Sequence, residues 1–438
     1  MPLKRSLGLF EVTLYGVGMI IGAGIYVLIG KVAGLAGYGI WLSFLLSSFI
    51  AIFTGLSYAE LSSIFKEDGA EYVYVRETIQ KEYLAYLAGW FVLFGSIISA
   101  SVVALGFAGY MSGILNINYI TPIAIGMIFL LTYINYRGIN LSAKVNDIAT
   151  FLEIGGLLFL IIGISAITLK ENISIPDFTS FHIGGVLNGV ILAFFAYLGF
   201  GSIAKISEEV KNPGKTVPLA IILSILITTL LYVSVALISV IAVPPEELAK
   251  SNEPASLIAS KIHPSSAFLL SIIALFSTGN TLLLILVSSS RMLYGLSKYG
   301  VFPRCFTKIS KSTSTPYLAV LMVGLISAIL SLFKKIEIVA SVTNIWVFIA
   351  YIFVNLSVIF LRIKERPFKG FRAPMNIGKF PVFAVLGIIS SLIMIIYHFA
   401  YTHTSIKHPD VYLTILLITA ATIYYLYKRK TAITHSTH

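Results

Sequence analysis

Apolar residues in this chain fall into blocks of about 20, each long enough to cross a hydrocarbon layer of roughly 30 Å as a helix. Gly, Pro or clustered charge separates one block from the next. The pattern predicts helical spans at about 9–36, 39–64, 83–114, 119–136, 145–169, 184–206, 216–243, 265–298, 316–333, 338–361, 379–400 and 409–427. The expected fold is therefore all-α and integral to a membrane, with about twelve transmembrane helices. An even number of spans puts both ends of the chain on one side, and the basic residues test that alternation. Of the 31 Lys and Arg, 24 fall in segments on the side of the two ends, among them Lys4, Arg5, Lys66, Arg137, Lys211, Arg304 and Arg372. The other seven are Lys31, Lys170, Lys250, Lys261, Lys334, Lys335 and Lys407. A span miscounted early would scramble this bias, so the positive-inside rule predicts that both termini are cytoplasmic; the expected location of this multi-pass protein is the plasma membrane.

Composition narrows the reading further. Hydrophobic residues make up 57% of the 438 and charged residues 11%, against about 25% charged in a soluble domain. A water-soluble fold is excluded. The apolar start after MPLKRSLG is read as the first span rather than a signal peptide, because it is rich in glycine and no A-x-A-like cleavage site follows. Residues 1–438 are expected to form a single membrane domain, with a first repeat at about 9–169, a second at about 184–361 and further helices at about 379–427. The net charge of +12 is accounted for by the topogenic basic residues, which also face anionic membrane lipids, so nucleic acid is not an expected partner. Cys305 is the single cysteine and has no partner for an intramolecular disulfide. The chain has no HExxH, no Gly-x-Ser-x-Gly elbow and no Cys/His cluster, which argues against an enzyme and leaves no metal or cofactor to expect. The tail KRKTAITHSTH after Tyr427 is expected to fray.

Two spans carry an internal conflict. The first contains GVGMIIGAGIYVLIGKVAGLAG, and each interior glycine costs a helix about 1 kcal/mol relative to alanine. Close packing against another helix accounts for the earlier glycines. At Gly22-Ala23-Gly24-Ile25 the expectation is a break at mid-bilayer, where the unpaired amides of the next half-helix present a partial positive charge suited to a carboxylate. The sixth span repeats the signal in AFFAYLGFGSIAKISEEVKNP, where Gly199 and Gly201 bracket Phe200 and polar residues follow. The breaks fall in the first and sixth spans, each opening a run of five spans, the first ending near residue 169 and the second near residue 361. Interrupted spans at matching places in two halves point to a midplane site in an inverted repeat, since an odd number of spans per half inverts the second half.

Four segments, in this order, carry a family resemblance: GVGMIIGAGIY, LSYAELSSIFKEDGAEYVYVRE, FFAYLGFGSIAKISEEVKNPGKTVPLAI and SSRMLYGLSKYGVFPRCFTKISKSTSTPYLAV. From about residue 5 to residue 400 the chain resembles the amino acid–polyamine–organocation superfamily. The resemblance implies a LeuT-type fold of five-plus-five inverted repeats, with helices 1 and 6 broken and two extra C-terminal helices. It implies secondary active transport of amino acids by alternating access, here as proton-coupled uptake of neutral amino acids. A sodium-coupled or uncoupled amino acid or amine exchanger, a channel, or a substrate sensor on the same fold stands as the alternative. By position, Ile21, Gly22, Ala23, Gly24 and Ile25 would hold the substrate carboxylate. Carbonyls around Phe194, Phe195, Ala196, Leu198 and Gly199 would meet the ammonium, with Phe195 as an aromatic gate.

Proton-coupled relatives often carry a lysine in the fifth span, and the residue aligned with it here is Glu153, a departure from the family pattern. A carboxyl inside a span should be paired or protonated, so Glu153 is the candidate for ion or proton coupling; its alternative is a structural hydrogen bond to a neighbouring helix. Ser288, Ser289 and Ser290 are the hydroxyls that a sodium site would use. Ser96, Ser99, Ser101, Asn280, Asn344 and Asn355 are candidate polar liners or helix bridges. No acidic residue other than Glu153 is expected in the pocket, which favours a neutral substrate over a dibasic one. Glu60 and Arg291 are read as edge groups that snorkel toward water; Lys205, just past the second break, is read the same way, with the exchanged charge of the coupling step as its alternative. Glu208, Glu209 and Lys211 in EEVKNP are read as a solvated helix end, or by the resemblance as part of an inner gate.

Overall fold

The computed structural model describes residues 5–115, 117, 119–251, 253–333, 336–364, 370–401 and 409–436. The helices, in chain order, are α1 (Leu9–Ala36), α2 (Ile40–Ile64), α3 (Ala70–Thr78), α4 (Glu82–Leu115), α5 (Ile120–Tyr136), α6 (Ile139–Lys170), α7 (Ile183–Tyr197), α8 (Pro213–Ala242), α9 (Pro245–Lys250), α10 (Pro254–Ser260), α11 (Pro264–Lys298), α12 (Tyr317–Leu330), α13 (Ile336–Ile363), α14 (Val382–Tyr401) and α15 (Pro409–Ser436). Strand structure among the described residues is one two-residue pair, Asn376–Ile377 antiparallel to Phe380–Pro381. Eight helical stretches among the described residues are long and apolar enough to cross a membrane, and four shorter apolar helices accompany them. The fold is all-α, as the apolar blocks predict.

The outside of the bundle is as informative as its core. Ile148, Phe151 and Ile162 on α6, Leu226 and Leu230 on α8, and Phe268 and Phe276 on α11 are all exposed. Scattered exposed apolar groups are ordinary, but whole helix faces of them require hydrocarbon as the solvent. Polar side chains are drawn inward: Ser43 and Ser47 of α2 donate to the carbonyls of Val186 and Val190 in α7, at 2.9 Å each.

Both predicted interruptions are present. Inside α1, Gly22 leaves helical geometry at φ −6° and ψ −145°. The sixth crossing is two pieces: α7 stops at Tyr197, Leu198 is extended, Gly199 stands at φ 128°, and a 3-10 segment runs from Phe200 to Glu209. Only glycine adopts the Gly199 conformation without strain. A Cβ there would also stand 2.9 Å from the carbonyl oxygen of Met19. The breaks touch each other, because a Cβ on Gly24 would lie 2.5 Å from Cα of Ala196.

Three features differ from the sequence expectation. Helix α6 starts at Ile139 rather than near 145 because Gly138, at φ 119°, turns the chain there. The polar turn that follows is amphipathic, with Ser142 and Asn146 buried and Lys144 exposed. Helix α15 continues to Ser436, where fraying was expected from Tyr427 onward. Helix α3 is too short and too polar to register as a span, yet seven of its nine residues are buried against the bundle.

Replacing Gly199 with Ala should destabilise the protein by about 1–3 kcal/mol through forced strain. Gly126, on α5 with open space around its Cα, is the matched control. Thermal unfolding in detergent should show a lower Tm for Gly199→Ala and an unchanged or higher Tm for Gly126→Ala; equal behaviour of the two variants would contradict the break.

Candidate functional site

A cavity of about 100 Å³ lies where the two breaks meet, enough for several waters at roughly 10–15 Å³ each or for a small solute. Gly22 and Gly24 of α1 form part of its wall, and Phe195, Leu198 and Gly199 face them from the sixth crossing. Ser96 and Ser99 of α4, Thr281 of α11 and Tyr351 of α13 add polar groups to the wall. Of the other sequence-predicted site residues, Ile21, Ile25, Phe194 and Ala196 are buried just behind this surface. Phe194 packs on Phe348 at 4.9 Å between ring centroids. Ala23 lies within α1; its side chain is outside the described residues, as is that of Asn344.

The broken backbone finds partners in one side chain. The Tyr232 hydroxyl on α8 lies 2.6 Å from the carbonyl oxygen of Ile20 and 3.1 Å from that of Ala196. One buried hydroxyl, with its single proton, thus stands between carbonyls at both breaks, in a medium where water is not at hand to serve them. Sequence pattern carried no signal for Tyr232, since a tyrosine in an apolar run reads as packing.

Glu153 is fully buried, but it stands behind α1 rather than on the cavity wall. Asn280 Nδ2 donates to its Oε1 at 3.1 Å and lies 3.2 Å from Asn146 Oδ1. Tyr26, four residues past the Gly22 break, donates to the backbone carbonyl of Glu153 at 2.9 Å. Among the candidate liners, Asn280 and Asn355 bridge helices: Asn355 accepts from Ser57 at 2.6 Å and donates to Thr54 at 3.1 Å. Ser101 bonds its own helix at Ile98.

The acidic residue that does reach the cavity is Glu71, on the unpredicted helix α3, and it faces Lys205. Lys205 does not snorkel to water; it is 4% exposed and lines the same wall. The 3-10 segment winds tightly beneath the break and keeps Lys205 in the bundle. Nothing in the periodicity of GAEYVYV announces that Glu71 turns back into the protein.

Glu60 and Arg291 likewise are buried rather than snorkelled. Arg291 forms a two-point ion pair with Glu209 at 3.1 and 3.2 Å and donates to Asn135 at 2.7 Å. Arg362 pairs with Glu60 at 2.8 and 2.5 Å, and the Ala373 N–H donates to the same carboxylate at 2.9 Å. Full burial of such groups demands this complete pairing. At the same end of the bundle the backbone N–H of Asp68 donates to Glu208 and the N–H of Glu208 donates to Asp68, while Lys298 holds Glu208 at 2.7 Å. The segment before α1 is fastened there too, by the Leu7–Val210 bridge. EEVKNP is therefore a fastening point, with Glu209 inside the protein and Glu208 partly exposed.

Asp68 lies in the loop between α2 and α3. Burial, then the carboxylates of Glu208 and Glu209, push its carboxyl well above the usual range of roughly 4. The folded protein holds this proton more tightly than the unfolded chain. The resulting stabilisation is complete below the ordinary Asp value and is lost as pH rises through the raised one. Asp68→Asn keeps an oxygen for the Glu208 N–H without the titrating proton. Melting profiles should show Tm falling from about pH 4 upward in the wild type and a flatter profile in the variant; equally steep profiles would exclude Asp68 as the source.

Comparison with known proteins agrees with this architecture. The model of the amino acid permease family matches residues 7–421. A branched-chain amino acid permease of Bacillus subtilis is 31% identical over 98% of this chain and 94% of its own length. A methylthioribose transporter of the same organism is 32% identical over 85% of this chain and 84% of its own length. Cationic amino acid transporter 4 of Mus musculus is 28% identical over 83% of this chain and 60% of its own length. The family and these relatives are transporters, not enzymes, and the chain belongs to the amino acid permease family.

Proposed function

We propose that this protein takes up neutral amino acids across the plasma membrane by alternating access, coupled to protons, with both termini cytoplasmic. The observation that carries the reading is the meeting of two helix breaks at one cavity. Amides at the start of the second half of α1, from Ile21 to Ile25, suit a carboxylate; carbonyls at the end of α7, from Phe194 to Gly199, suit an ammonium. Phe195, half-buried on the cavity wall, is the gate over the bound substrate. Repeats at about 9–169 and 184–361 would form the moving parts of a single domain, with helices 379–427 outside them. Packing of α1 on α7 and of α2 on α8 supports that arrangement, because equivalent helices of two inverted halves pair across their shared axis.

Glu71 and Lys205 together add no net charge to the cavity, which supports a neutral substrate. The relatives are named for branched-chain amino acids, methylthioribose and cationic amino acids, so selectivity here resides in the cavity walls. Glu153 is the proposed proton carrier. Its hydrogen-bond partner Asn280 is neutral and no cation pairs with it among the described residues, and a carboxyl so placed alternates more readily between charged and neutral forms than one locked to a cation.

Proteoliposomes with an acidic exterior should accumulate labelled neutral amino acid above the external level, and replacing sodium by choline should leave uptake unchanged. Glu153→Gln should reduce accumulation to simple equilibration while counterflow against internal substrate persists. Retention of the proton-gradient response by Glu153→Gln would remove Glu153 from the coupling step. Uptake that collapses in choline would favour sodium and the Ser288–Ser290 hydroxyls.

A further inference from the structure

The ion pair in the cavity wall is incomplete. Lys205 Nζ stands 3.8 Å from Glu71 Oε1, beyond hydrogen-bond range. The Tyr58 hydroxyl already donates to that oxygen at 2.8 Å. Glu71 Oε2 is buried with no hydrogen-bond partner, and among the described residues no hydrogen bond reaches the Lys205 ammonium. Both side chains line the cavity beside Tyr58 and Ser202. A buried ammonium with three donors and a buried carboxylate oxygen with none of its own are each costly to leave unsatisfied.

We propose that Lys205 and Glu71 form a side-chain subsite for a carboxamide, which makes amino acids with a neutral amide side chain the preferred substrates. The inference rests on the reading of the two breaks as the main-chain site. A carboxamide brings an acceptor and a donor on adjacent atoms: its oxygen accepts from Lys205 and its NH₂ donates to Glu71 Oε2. An acidic side chain meets the Glu71 carboxylate, a basic one meets the Lys205 ammonium, and an aliphatic one leaves both unsatisfied. Sites built around such hydrogen bonds reject analogues that lack them far more strongly than apolar pockets discriminate by size.

The Tyr58 hydroxyl lies 3.1 Å from where a Cβ on Gly201 would stand, and Gly201 is two residues beyond the Gly199 break. The carboxylate that this hydroxyl contacts at 2.8 Å therefore lies near the backbone just past the second break, on the same cavity wall as Gly199. Tyr351, stacked on Phe200 at 5.4 Å between centroids, walls the apolar stem between the two subsites.

The test uses the full-length protein in proteoliposomes with labelled L-glutamine, competed by unlabelled asparagine, leucine, glutamate and lysine. The expected result is glutamine accumulation that asparagine inhibits at least about tenfold better than the other three. Lys205→Met and Glu71→Gln should each raise the apparent KM for glutamine about tenfold or more and shift the glutamine-to-leucine uptake ratio toward leucine. Leucine competing as well as asparagine in the wild type, a readout that needs no variant, overturns the subsite while leaving amino acid transport intact. Equal loss of glutamine and leucine uptake in both variants, with normal Tm, makes the pair a gate and also overturns it. Failure to accumulate any amino acid removes the underlying reading and the subsite with it.

Discussion

A peptide group without a hydrogen-bond partner is expensive in hydrocarbon, and this structure interrupts helical geometry twice at the centre of the bundle, at Gly22 and at Leu198–Gly199. Everything around the two breaks answers to that constraint. Tyr232 reaches the carbonyls of Ile20 and Ala196 together, and its ring is fixed edge-on by Phe44 and Tyr197. Gly24 admits the backbone of Ala196, and Gly22 admits the Thr281 side chain of α11. Interrupted helices are tolerated here because the breaks border an enclosed cavity and packed side chains of the protein rather than lipid.

Charge is distributed by the same logic. At the basic end of the bundle the ion pairs are closed on themselves. Glu209 and Arg291 tie the 3-10 segment to α11, and Glu60 and Arg362 tie α2 to α13. Each carboxylate receives two donors from its arginine, so neither pair has bonding capacity turned toward a ligand. Removing one partner of such a pair strands the other, at about 3–5 kcal/mol. The cavity pair is built differently. Lys205 and Glu71 are as deeply buried but are separated and under-bonded, so the pair at the cavity contrasts with the complete pairs at the end.

Much of this organisation is legible in the chain itself. Apolar blocks define the crossings to within a few residues because hydrocarbon thickness permits little else, and Gly22 and Gly199 expose the breaks because glycine is costly anywhere it is not required. Other features follow from tertiary position, which local pattern does not encode. Glu71 looks like a solvated loop residue until α3 is seen to lie against α4 and α13. Lys205, Arg291 and Glu60 look like groups that reach for water, because the partners that let them remain inside are 82 to 302 residues distant in sequence or, for Lys205, on that same hidden helix. Asn280 and Asn355 read equally well as pocket or packing residues, and only the packed helices show them as bridges. Polar residues in a membrane interior announce that they matter; the chain order does not say to what they are joined.

Helix α1 is where these separate arrangements converge. Four residues before the Gly22 break, a Cβ on Gly18 would lie 2.6 Å from Asn146 Oδ1, 2.8 Å from Asn280 Nδ2 and against Thr150, the residues that surround the Glu153 carboxylate. Four residues after the break, the Tyr26 hydroxyl is bonded to the Glu153 backbone. The first half of the helix is held further down by Tyr15, which donates to the Leu284 carbonyl of α11 at 3.3 Å. A change of charge on Glu153 would reorganise Asn280 and so press on both halves of α1, which the break has already uncoupled from each other. Under the proposed reading, the glycine that breaks the helix for a substrate would thereby also let a single buried carboxyl act on the two halves separately. Binding at the cavity and ionisation behind it would then be linked through one helix, with no direct contact between substrate and Glu153.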